Sequence, residues 1–196
     1  YEKVPDDADV LFIPAPSAPL LTEEVQAITA WLEQGGQLVV MVDARSDGLD
    51  PLLGWLGLKR NDGPIADPDK RLRGQSPYLV VADRYGTHPT VETLSKLRRP
   101  VILPGPGGCS EVDGGNGKRT VLLRTYGSAF ADANNNGRMD EDEKAQVHNI
   151  AYAVEGGQGD KAWRAMVIGN QGFVSDQAFD YGWLTGPFLV ADCLRW

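Results

Sequence analysis

The chain has 196 residues, 42% hydrophobic and 23% charged, with 19 basic against 27 acidic side chains and a formal charge of −8. That length holds one sizeable core, two cysteines cannot staple a disulfide scaffold, and an acidic chain without a Lys/Arg block lacks the basic face that nucleic acid or an anionic membrane requires of a main partner. No run approaches the roughly 18 apolar residues of a membrane span. The chain opens at Tyr1 without a signal-peptide pattern and closes at Leu194-Arg195-Trp196 inside an apolar pattern, which predicts a soluble piece excised from a longer, membrane-anchored protein.

Asp9 to Ile13 is a short apolar run stopped by Pro14-Ala15-Pro16, the pattern of a buried strand. Thr22 is placed to cap a helix with Glu23 and Glu24 in its first turn, where carboxylates meet the positive end of the helix dipole. Val25, Ile28, Trp31 and Leu32 follow on one stripe, so the spacing predicts an amphipathic helix over Thr22 to Gln34. Gly35-Gly36 ends it, and Leu38 to Val42 is a second fully apolar strand. Strand, helix and strand make a right-handed βαβ unit.

Leu52, Leu53 and Leu56 predict a short helix within Leu49 to Leu58, and Ile65-Ala66 a short strand in a polar loop. Tyr78 to Ala82 and Val101 to Leu103 read as strands flanking a helix over Thr90 to Leu97. Pro104 to Gly117, with six glycines, reads as loop. Arg119 to Thr125, Asn149 to Glu155 and Trp163 to Ile168 are further strands, Asp140 to Gln146 is a candidate helical turn, and the chain closes with a helix from about Gly186. The expected architecture is a single α/β domain over 1–196 with a largely parallel sheet, helices on both faces, and a strand- and loop-rich subdomain within 60–155.

Val4-Pro5-Asp6-Asp7-Ala8-Asp9-Val10-Leu11-Phe12-Ile13, Leu21-Thr22-Glu23-Glu24 and Trp31-Leu32-Glu33-Gln34-Gly35-Gly36-Gln37-Leu38-Val39-Val40-Met41-Val42-Asp43 resemble the extracytoplasmic domain of gliding-motility-type (GldG-like) ABC transporter auxiliary proteins. Leu56-Gly57-Leu58, Thr87-His88-Pro89-Thr90 and Val167 to Asp176 fit the same pattern. The resemblance implies a flavodoxin-like, class I glutamine amidotransferase-like fold without a catalytic centre. It also implies a periplasmic-side location, and ABC permease and ATPase subunits or other envelope proteins as partners. In the usual family chain another βα segment precedes the position of Tyr1 and a membrane helix follows that of Trp196.

Asp132 to Glu143 matches the twelve-residue EF-hand loop at every defined position: Asp132, Asn134, Asn136, Asp140 and Glu143 at positions 1, 3, 5, 9 and 12, Gly137 at the sharp turn, and Arg138 lending its carbonyl. Three carboxylates crowded into twelve residues predict one structural calcium ion, against the plainer reading of an acidic surface turn. The rival function is a cysteine-dependent hydrolase or amidotransferase relative using Cys109, with His88 and His148 the available imidazoles. Glu111 and Asp113 beside it work against a thiolate, and no helix is expected to follow it. An oxidising compartment would allow a Cys109–Cys193 disulfide. His88, before Pro89, is expected to anchor a turn. Asp43, Arg45, Asn170 and Asp176 lie after the carboxyl ends of predicted strands, where open α/β sheets collect ligands.

Overall fold

The computed structural model describes residues 3–44, 48–71, 74–180, 182 and 185–196. In chain order the elements are β1 (Leu11–Pro14), α1 (Thr22–Leu32), β2 (Gln37–Met41), α2 (Asp50–Trp55), β3 (Leu58–Arg60), β4 (Ile65–Ala66), β5 (Leu79–Ala82), β6 (Arg84–Tyr85), α3 (Pro89–Lys96), β7 (Val101–Pro104), β8 (Cys109–Glu111), β9 (Lys118–Arg124), β10 (Phe130–Ala131), β11 (Asn149–Gly156), β12 (Trp163–Ile168), α4 (Asp176–Asp180) and α5 (Thr185–Arg195). One eight-stranded sheet runs β1-β2-β12-β11-β8-β3, with β9 also paired to β11 and β6 to β9.

The predicted βαβ unit is present, and β1, β2 and β12 lie parallel with Leu11 opposite Leu38 and Val39 opposite Met166. Beyond β12 every pairing in the sheet is antiparallel. The sheet is therefore mixed, its parallel part confined to three strands. The middle of the chain joins it through β3, β6, β8, β9 and β11, and also forms two separate ladders, β4 with β10 and β5 with β7.

Alternation along these strands feeds two buried clusters. Leu38, Val40 and Val42 point to one face with Val167 and Trp163, where Ile28 and Leu32 of α1 and Leu52 and Leu53 of α2 cover them. Val39, Met41, Met166 and Ile168 point to the other, under Val91 and Leu94 of α3, Leu189 and Cys193 of α5, and the β5–β7 ladder. A strand stretch buried on both faces must be apolar, which is why residues 38–41 of β2 and 165–168 of β12 read as continuous runs, with Gln37 and Arg164 at the less buried positions. None of the helices among the described residues is long and apolar enough to cross a membrane.

Local details depart from expectation where tertiary contacts compete. The helix cap sits at Leu21, not Thr22, and Glu24 reaches back to accept from the Leu21 N–H at 2.9 Å. Leucine offers no oxygen, so only the carboxylate half of a capping box exists. Gly35, at φ 101°, closes α1, and a Cβ there would lie 2.8 Å from the Asp160 carbonyl. The glycine-rich stretch after Pro104 is not all loop: Cys109–Glu111 form β8, because the open edge of β3 supplies a ladder. Asp140 to Gln146 does not become helical. Cys109 and Cys193 are free thiols that belong to the clusters on opposite faces of the sheet, so the disulfide expectation is corrected.

Candidate functional site

The acidic loop is anchored at its first residue. Asp132 follows β10 directly, is fully buried, and its N–H donates to the Pro64 carbonyl at 2.9 Å. Its Oδ1 accepts from Asn136 N–H at 3.2 Å, and its Oδ2 from Gly137 N–H at 2.6 Å and the Tyr78 hydroxyl at 2.5 Å. Burial pushes this carboxyl up, but the bonds from Tyr78, Gly137 and Asn136 outweigh it and hold the group below the usual carboxylate range. The same contact, added to burial, pushes the Tyr78 hydroxyl up to about 12.

The remaining loop side chains converge. Asp140 Oδ2 accepts from the amides of both Asn134, at 2.6 Å, and Asn136, at 2.8 Å. Glu143 closes the loop by accepting from Ala133 N–H at 2.9 Å and Asp140 N–H at 3.0 Å. Asn135 and Gly137 take the left-handed conformation, φ 61° and 74°, that bends the chain around this centre. Positions 1, 3, 5, 9 and 12 thus share one hydrogen-bonded knot, in which N–H groups neutralise the carboxylates. The knot is not a gathered carboxylate cage: among the described residues no three His, Cys, Asp or Glu side chains stand together as a metal set. The donor set, oxygens of carboxylates and amides, is the kind a hard cation takes, but Oδ1 of Asn134 and of Asn136 already accept from the N–H groups of Asn136 at 3.1 Å and Arg138 at 2.7 Å, so loading an ion would mean releasing hydrogen bonds of the knot. Arg138 contributes its N–H to Asn136 Oδ1 at 2.7 Å.

The sheet-edge residues part company. Asp43 lines a cleft of about 300 Å³ with Gly105, Tyr78 and Asn135, so the edge of the parallel strands and the acidic loop share a wall. Asn170 is a fully buried brace: its amide donates to the Pro104 carbonyl at 2.7 Å and its Oδ1 accepts from Phe173 N–H at 3.0 Å. Asp176 opens α4 and is exposed, and Arg45 lies outside the described residues. Tyr78 is the member that sequence reading missed, since 54 residues separate it from Asp132 and no local pattern links them.

Cys109 sits in β8 at 3% exposure, and burial pushes its thiol up to about 12, so it is held as a neutral thiol. His88, expected to anchor a turn, is the N-cap of α3, its Nδ1 accepting from Thr90 N–H, with the Trp196 ring edge-on at 4.6 Å. Burial, with the Arg164 charge, keeps that imidazole below its ordinary value despite Glu155. His148 is buried beside the loop's exit, its N–H bonded to Thr125 Oγ1 at 2.8 Å and its Nδ1 to the Asn61 amide at 3.1 Å.

These features define a mixed α/β domain with helices on both faces and an ordered acidic loop against one end of its sheet. A family model described as a domain of unknown function, DUF4350, matches residues 1–182, and the chain belongs to that family. No curated protein matches it. Among solved structures it is similar to the mmIFT52 N-terminal domain, at 14% identity and TM-score 0.74 over 97% of this chain and 77% of that one. It also aligns with a putative ThuA-like protein from Bacteroides uniformis, at 15% identity and TM-score 0.47 over 96% of this chain and 68% of that one. At such identities the first likeness speaks for the fold alone.

Proposed function

We infer that this chain is a non-catalytic, extracytoplasmic interaction module of an ABC-type transport assembly, with a structural calcium ion in the loop from Asp132 to Glu143. On this reading the fold is the flavodoxin-like, class I glutamine amidotransferase-like one that the GldG-like motifs imply, and the partners are permease and ATPase subunits or other envelope proteins. The transport role rests on the resemblance of the motifs alone, and the observation that carries the calcium part is the knot in which Asn134, Asn136 and Asp140 meet between the anchored ends Asp132 and Glu143. Such a loop is a preformed oxygen-rich turn whose carboxylates gain from a divalent charge. When bound, the ion would supply that charge. Asp132, Asn134, Asn136, the Arg138 carbonyl, Asp140 and Glu143 would hold it, and the Asp43–Tyr78–Asn135 wall would become a rigid surface for a partner.

The test is co-expression of the intact protein with the permease and ATPase encoded beside its gene, followed by purification with calcium or with chelator. Association that requires calcium supports the reading. A failure of all three to associate in calcium sinks the transport part, and association indifferent to calcium sinks the role of the loop. The Cys109 hydrolase reading has no observation in its favour, since that thiol lies within the core.

A further inference from the structure

The sequence contains two Asn-Gly pairs, Asn116-Gly117 and Asn136-Gly137. This dipeptide carries a chemistry of its own. Because the second residue has no side chain to obstruct the approach, its backbone nitrogen can close on the asparagine Cγ, expel ammonia and leave a five-membered succinimide. Water then opens the ring at either carbonyl, giving aspartate or isoaspartate, the latter with one extra carbon in the main chain. The step needs a backbone N–H that solvent can deprotonate, a carboxamide that is not held, and a chain free to turn into the attacking conformer.

The fold gives the two pairs opposite surroundings. At the second, every reacting group is occupied: Gly137 N–H donates to Oδ2 of the buried Asp132 at 2.6 Å, Asn136 Nδ2 donates to Asp140 Oδ2 at 2.8 Å, and Asn136 Oδ1 accepts from Arg138 N–H at 2.7 Å. Attack there requires the knot to open first. The first pair lies in the exposed turn between β8 and β9, behind Gly114 and Gly115. Gly117 N–H makes no hydrogen bond among the described residues. The Asn116 side chain is tied only by a 3.3 Å bond from Nδ2 to the Trp55 carbonyl, which also takes Asn116 N–H at 2.7 Å. The attacking nitrogen and the group it attacks are both open to water.

We propose that Asn116 is a site of spontaneous deamidation in the folded protein, while the knot keeps Asn136 intact. The Gly117 nitrogen gives its proton to solvent and bonds to Asn116 Cγ; the Cγ–Nδ2 bond breaks, and Nδ2 leaves as ammonia, taking a proton back from water. The product places a carboxylate where an amide donated to the Trp55 carbonyl, at the negative end of α2. Isoaspartate also lengthens the main chain just before Gly117, where a Cβ would already stand 2.7 Å from the Glu155 carbonyl and from the Trp163 ring. Deamidation thus adds one negative charge and loosens the turn from α2 and from the start of β9. The proposal does not rest on an ion in the acidic loop, so it is tested in the presence of a chelator.

The experiment is peptide mapping by mass spectrometry of the intact native chain, held in mildly alkaline buffer and sampled over time. Aspartate and isoaspartate should accumulate at position 116 about tenfold or more faster than at 136, and in urea the two rates should come within about twofold of each other. Conversion at 116 no faster than at 136 in the native protein overturns the proposal. So does a product at 116 that is aspartate alone, since direct hydrolysis forms no isoaspartate. A gap that persists unchanged in urea would trace the difference to neighbouring residue types rather than to the fold, and overturns the protection by the knot.

Discussion

The Tyr78 hydroxyl donates to Asp132 Oδ2 at 2.5 Å, joining the segment before β5 to the first residue of the acidic loop. Asp132 is fully buried, so this bond is one of the few ways its charge is compensated. Tyr78→Phe should cost about 1.5–3 kcal/mol at neutral pH, the range for a hydrogen bond to a charged group. Because the folded carboxyl lies below its ordinary 3.8, its contribution to stability is full above that value and is lost as pH falls through the folded one. Urea unfolding near neutrality and near ~pH 3 should therefore show the variant's deficit shrinking in acid. An equal deficit at both would mean that the hydroxyl acts independently of the carboxylate.

Calcium should raise the melting temperature if the loop takes the ion. With a dissociation constant of ~10⁻⁴–10⁻³ M, a tenfold excess over it adds about 1.4 kcal/mol, or roughly 3–6 °C. Asp132→Ala and Glu143→Ala also strand loop N–H groups, so their metal-free melting points will drop. The decisive readout is the difference made by calcium, which both should abolish. A melting curve flat across millimolar calcium in the unaltered protein would leave a hydrogen-bonded acidic turn.

Gly36 lies under the half-buried Trp31 ring, and a Cβ built there would stand 2.5 Å from ring carbons. Gly36→Ala should cost about 1–3 kcal/mol through overpacking. In a Trp31→Ala background the same change should cost little, and the resulting coupling in a double-mutant cycle is the measurement. Additive losses would place the strain in the backbone rather than the ring.

Both thiols should resist labelling. Burial pushes Cys109 and Cys193 up to about 12, and the sheet separates them. Mass spectrometry after brief iodoacetamide treatment should find both unmodified in the native protein and both modified in urea, and reductant should leave the melting temperature unchanged. Native labelling of Cys109 faster than a free thiol would revive the nucleophile.

Asn170→Ala removes the bonds to the Pro104 carbonyl and the Phe173 N–H from a fully buried site, at a cost of about 2 kcal/mol or more. Asp176→Ala, on the surface, should stay within about 0.5 kcal/mol. Thermal melts of the two variants side by side would show whether these neighbours, alike in sequence position, divide into brace and surface.

What the sequence determined by itself is local. Apolar runs without a polar side specify β2 and β12, the stripe from Val25 to Leu32 specifies α1, and the oxygen spacing from Asp132 to Glu143 specifies a turn that folds on its own side chains. Each rests on contacts among residues close in the chain, where periodicity carries the information. Tertiary structure alone decided the antiparallel half of the sheet, the conversion of Cys109–Glu111 from apparent loop into β8, and the placement of the two cysteines on opposite faces. It also decided that Tyr78 meets Asp132 and that Asn61 meets His148, pairs 54 and 87 residues apart. Strand pairing and side-chain meetings at such separations depend on which open edge or unpaired donor remains after the core has formed. A one-dimensional pattern of residue types does not encode that remainder.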